Sequence, residues 1–144
     1  MRKIRKIIVH CTAGRASQRA SEVVAYHMRP VSAGGRGWHA PGYHYIVEAD
    51  GQIVRTWPEE SISNGCKGHN AESINVCYTG GVDFSKPGYP AADTRTDAQR
   101  RSLRRLLTEL AIRYPEAVIL GHRDLAAKAC PSFDAKREYA DLRK

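Results

Sequence analysis

The stretch Ile4-Arg5-Lys6-Ile7-Ile8-Val9-His10-Cys11-Thr12 decides the fold class. Its Ile7-Ile8-Val9 core reads as a buried strand that delivers His10 to one end. Residues Ser17 to Met28 follow as a helix, stopped before Pro30, with Val23, Val24 and His27 towards the buried side. A buried strand followed at once by a helix begins an α/β domain, not a bundle or a sandwich.

The rest of the chain keeps that alternation. The Gly-rich segment Val31 to Gly42 reads as irregular, and Tyr43 to Ala49 and Gln52 to Trp57 are β-type runs joined by Asp50-Gly51, a tight-hairpin signal. Glu60 to Ser73 carries Asn64-Gly65, Lys67-Gly68 and His69-Asn70, a loop fit to border a groove, before a strand from Ile74 to Thr79. Thr96 and Gln99 are spaced as a capping box for a helix that runs to about Tyr114 and stops at Pro115. Leu103, Leu106, Leu107, Leu110 and Ala111 line one side of it, so it packs across the sheet. Ala117 to Leu120 is a last buried strand, which delivers His122 as the first delivers His10, and Phe133 to Leu142 closes with a short helix.

With 144 residues, 42% hydrophobic and 26% charged, the chain fits one globular domain, residues 1–144. It has no apolar stretch near 18 residues, and Met1-Arg2-Lys3-Ile4-Arg5-Lys6 lacks an export signal. The expectation is therefore synthesis in the cytoplasm, no membrane insertion, and reduced thiols at Cys11, Cys66, Cys77 and Cys130. The net charge of +8 draws the protein to polyanions in general, an anionic envelope polymer included. Arg100-Arg101 and Arg104-Arg105 have the spacing of a solvated helix face, so no specific nucleic-acid site is expected.

Three residues carry possible metal chemistry. Two histidines at strand ends, His10 and His122, plus Cys130 eight residues after the second, could supply the three ligands of a catalytic zinc, leaving its fourth position open. They meet only if the two strands are neighbours. Adjacent strand residues face opposite ways, which assigns Cys11 to the core, and Cys77 lies inside an apolar strand; Cys66 reads as a loop thiol. The same alternation turns His44 away from Tyr43 into a buried, hydrogen-bonded role. His27, His39 and His69 have no argument for metal, and Asp124 either orients a ligand or caps a turn.

The blocks Ile8-Val9-His10-Cys11-Thr12, Gly42-Tyr43-His44-Tyr45, Ser73-Ile74-Asn75-Val76, Gly121-His122-Arg123-Asp124 and Lys128-Ala129-Cys130-Pro131-Ser132-Phe133-Asp134 resemble those of the zinc-dependent N-acetylmuramoyl-L-alanine amidases, of the T7 lysozyme and peptidoglycan recognition protein type. They occur in the family's order from about Lys6 to Asp134. The resemblance implies a central mixed β-sheet flanked by helices, with one zinc ion at the bottom of a groove. It implies His10, His122 and Cys130 as its ligands, Tyr43 as a catalytic residue and Lys128 as a stabiliser of transition-state charge. The substrate and partner it implies is peptidoglycan, cut between N-acetylmuramic acid and L-alanine by a monomeric phage or prophage endolysin that reaches the wall after release.

One departure stands out: Gly65 occupies a position where several phage relatives carry a histidine, leaving Lys67 or His69 to replace it. Alternatives within the resemblance are a noncatalytic peptidoglycan-binding protein and a regulator of a phage RNA polymerase. Binders of this fold typically lose the cysteine ligand, and Cys130 is present.

Overall fold

The computed structural model describes residues 2–143. Five strands, β1 (Lys6–Cys11), β2 (Tyr45–Val47), β3 (Ile53–Arg55), β4 (Ser73–Tyr78) and β5 (Val118–Gly121), form one sheet in the order β3-β2-β4-β1-β5. The β2–β3 hairpin is antiparallel and the other pairs are parallel, which makes the sheet mixed, as expected. Three helices accompany it: α1 (Ala20–Met28), α2 (Asp97–Arg113) and the single turn α3 (Ala135–Glu138).

The start of α2 follows from its capping box. The Thr96 hydroxyl accepts from the Gln99 amide at 3.0 Å, and the Gln99 side chain accepts from the Thr96 amide at 2.9 Å. The buried Gln99 side-chain Nε2 donates to the Val47 and Thr79 carbonyls, which pins the helix to the ends of β2 and β4. Helix α1 begins three residues later than its sequence suggests. Arg19 is extended, Ser17 lies in a turn, and the Ala20 amide donates to the buried Glu48 carboxylate at 2.7 Å, so a contact 28 residues away fixes the start.

The connection from β1 through α1 to β2 crosses the sheet one way, and that from β4 through α2 to β5 crosses it the other. Right-handed crossovers of opposite direction put their helices on opposite faces. The core divides accordingly. Leu103, Leu106, Leu107 and Leu110 of α2 pack with Ile7, Val9, Ile74, Val76 and Ile119, while Ala20 and Val23 of α1 pack with Ile46 and Cys77. Strand alternation puts Val9 and Cys11 with the α2 cluster and turns His10 to the α1 side.

Strand order settles the condition on the two histidines. β1 and β5 are adjacent and parallel, and their last registered pair is Val9 with Gly121, so His10 and His122 come next on neighbouring strands. The carboxyl ends of parallel strands, where successive connections diverge, open the crevice in which sheets of this kind place their sites.

Candidate metal centre

His10 Nδ1 lies 3.2 Å from His122 Nδ1 and 3.8 Å from the Cys130 sulfur, and the three ligand atoms lie within 4.8 Å of one another. Two imidazole nitrogens bound tetrahedrally to zinc would be about 3.3 Å apart, and a nitrogen and a thiolate about 3.5 Å apart. The two distances from His10 are close to these values, and the donor set of two imidazoles and one thiol suits a zinc ion, with the outermost pair, within 4.8 Å, left to close on the metal.

Local structure explains how Cys130 returns to His122. The Arg123 amide donates to the Cys130 carbonyl at 2.7 Å, closing the loop between the two ligands. A Cβ on Gly121 would meet Pro131 Cδ at 2.9 Å, so the missing side chain lets the Cys130–Pro131 segment lie against the end of β5. Tyr78 then anchors that segment, its hydroxyl donating to the Pro131 carbonyl at 2.7 Å. The Asp124 carboxylate accepts from the Gly121 amide at 2.8 Å, which resolves its two readings in favour of the turn cap. The Cys11 amide donates to the Cys130 sulfur at 3.2 Å, a contact that favours thiolate.

Burial, the neighbouring His122 and the Lys128 charge lower the pKa of His10 to about 3. Burial and Lys128 also lower that of His122. Both rings are therefore neutral at physiological pH, the state that ligates metal. The Cys11 thiol and burial push the Cys130 thiol up, so its thiolate calls for a cation alongside.

His122 and Cys130 line a groove of about 900 Å³ together with Tyr43, Cys66, Lys67 and Lys128, and His10 lies buried beside them. The Tyr43 ring lies 5.1 Å from that of His10, and burial together with the thiols of Cys77, Cys130 and Cys11 raises its pKa well above the ordinary phenol value. Lys128 is exposed at the rim, and its charge reaches both histidines. Tyr43 and His44 have separate surroundings although both precede β2; His44 extends the pairing, its amide donating to the Asn75 carbonyl and its carbonyl accepting from the Thr56 amide, both at 2.8 Å. Cys11 and Cys77 are buried as expected; Cys66 is buried as well, 2% exposed despite its loop position. Of the two residues weighed as replacements beside Gly65, Lys67 lines the groove and His69 does not contribute to its lining.

Two features escaped the sequence reading. Arg36 stacks 5.0 Å from the centre of Trp38 and 5.6 Å from that of Tyr26; all three line the groove, Tyr26 from α1 and the other two from a segment read only as irregular. The other is Asn75, whose Oδ1 lies 2.8 Å from His10 Nε2. Its signal was available: a polar side chain on a fully buried strand needs a partner.

The N-acetylmuramoyl-L-alanine amidase family model matches residues 1–133. The endolysin of Klebsiella phage KP32 is 39% identical over 134 residues, spanning 92% of this chain and 83% of the relative. The endolysin of Escherichia phage T7 is 40% identical over 133 residues, 91% and 82% of the two chains. Among solved structures, the endolysin of the Thermus scotoductus bacteriophage Ph2119 superposes with a TM-score of 0.76 at 28% identity, covering 98% of this chain and 85% of that one.

Proposed function

The chain belongs to the N-acetylmuramoyl-L-alanine amidase family, and from that premise we propose that it is an endolysin in which His10, His122 and Cys130 hold one zinc ion. Its reaction is hydrolysis of the amide between the lactyl group of N-acetylmuramic acid and L-alanine in peptidoglycan. The observation that carries this reading is the convergence of two neutral imidazoles and one thiol, from adjacent strand ends and a returning loop, at the side of the groove that His122 and Cys130 line.

Held by His10, His122 and Cys130, a zinc ion would supply Lewis acidity for the scissile carbonyl and for a water near neutral pH. The protein's own groups complete the chemistry. Tyr43 keeps its proton, because burial opposes ionisation, and its O–H donates to the carbonyl oxygen as negative charge gathers there. Lys128 adds a positive charge at the rim. The Cys11 amide holds the Cys130 sulfur in place. The net charge of +8 favours approach to an anionic cell wall after release.

Metal analysis tests the ligand set. Cys130→Ser should lose both zinc and release of wall peptides, while its secondary structure stays that of the parent. A full equivalent of zinc retained in Cys130→Ser would remove Cys130 from the set.

A further inference from the structure

Beneath His10 lies a chain of buried polar groups whose directions are fixed from its far end. The Ser61 carbonyl is an acceptor only, so His44 Nε2, 2.8 Å away, carries the hydrogen. His44 Nδ1 is then an acceptor, and it receives the backbone amide of Asn75 at 3.0 Å and the Ser63 hydroxyl at 3.2 Å. Ser63, having donated, accepts from Asn75 Nδ2 at 2.8 Å. That contact orients the amide, presenting Oδ1 to His10 Nε2 at 2.8 Å. His10 Nε2 must therefore donate, which leaves the Nδ1 lone pair facing His122 and Cys130.

We propose that Asn75 is a positioning residue that fixes the ring orientation and tautomer of His10, and that Ser63 and His44 hold Asn75 in the orientation this requires. Every group in the relay is satisfied. His10, His44, Ser63 and Asn75 are at most 1% exposed, so no water competes for these contacts. Gly65 belongs to the same device. A Cβ there would lie 2.6 Å from Asn75 Cγ and 2.6 Å from the Gly42 carbonyl oxygen, so the space a side chain would fill at position 65 is taken by the amide of Asn75.

The inference rests on the reading of His10 as a metal ligand, and two readouts separate the two. Nitrogen-15 NMR of the metal-free protein reports the His10 tautomer directly. Wild type should carry the hydrogen on Nε2, and Asn75→Ala should lose that preference. Zinc affinity, measured by competition with a chelator, should fall about 10- to 100-fold in Asn75→Ala. Asn75→Asp keeps an acceptor facing His10 Nε2 and should retain the tautomer that Asn75→Ala loses. Ser63→Ala, which unanchors the amide without removing it, should give a smaller loss of affinity. An unchanged tautomer and unchanged affinity in Asn75→Ala would overturn the proposal. Should wild type bind no zinc, the ligand reading falls, while the tautomer of the metal-free ring still decides the role of Asn75.

Discussion

In the proposed site, Tyr43 and the candidate ligands His10, His122 and Cys130 have separable roles. Tyr43→Phe removes one hydroxyl and leaves the ligand atoms untouched, so it should bind a full equivalent of zinc while turnover falls on the order of 10²-fold. Metal analysis beside steady-state rates on solubilised peptidoglycan checks both halves, and loss of zinc would show a structural role instead. At this scale the sequence was informative about residues that strands deliver. His10 and His122 were legible because each ends a β-rich run, and Cys130 because it follows at ligand distance. Tyr43 and Lys128 were legible only through the family resemblance, since an aromatic residue near a strand and a lysine in a loop are ordinary. Asn75 lies within one of the family-like blocks, but nothing in the sequence alone assigns it a role. Its partners His10, His44 and Ser63 come from three other segments, and no local pattern announces such a meeting.

Helix α2 is the element whose local signals and packing agree most closely, and substitutions can separate the two. Thr96→Ala removes the side chain that accepts from Gln99, and should cost about 1 kcal/mol. Leu107→Ala hollows a fully buried position and should cost about 2–5 kcal/mol. Urea denaturation of the metal-free variants measures both, and equal losses would contradict the division between cap and core. The capping box and the leucine stripe were readable because both are local. The start of α1 was not, because the Glu48 carboxylate that receives the Ala20 amide arrives from the end of the hairpin. Segment 31–42 defeated pattern reading for a similar reason: Trp38 and Arg36 are ordered by stacking on each other and on Tyr26 and His27.

Across the whole molecule, strand order is what the sequence left open, since parallel neighbours are chosen by crossovers and not by adjacency along the chain. The C-terminal closure is a second global feature. Arg95, its side chain 1% exposed, joins Asp93 at 2.9 Å and Glu138 at 2.7 Å and lies over the Phe133 ring, tying the approach to α2 to α3. Hydrogen bonding to Arg95 lowers the pKa of Glu138; for Asp93, burial works against ionisation, but the bonds and charge of Arg95 outweigh it and the pKa is lowered too. Carboxylates depressed by folding stabilise the protein above their unfolded values, about 3.9 for Asp and 4.3 for Glu, and lose that contribution as pH falls through the folded values. The urea midpoint of the metal-free protein should therefore drop between about pH 5 and pH 3, and Asp93→Asn with Glu138→Gln should flatten that drop. An acid limb unchanged in the double variant would assign it to other carboxylates. The central claim is the reaction itself, and mass spectrometry of the products released from purified peptidoglycan tests it most directly, with zinc-loaded and chelator-stripped protein side by side. New L-alanine amino termini without new reducing sugar ends, formed only with zinc, are the predicted result; new reducing ends, or no cleavage by the zinc-loaded protein, would contradict it.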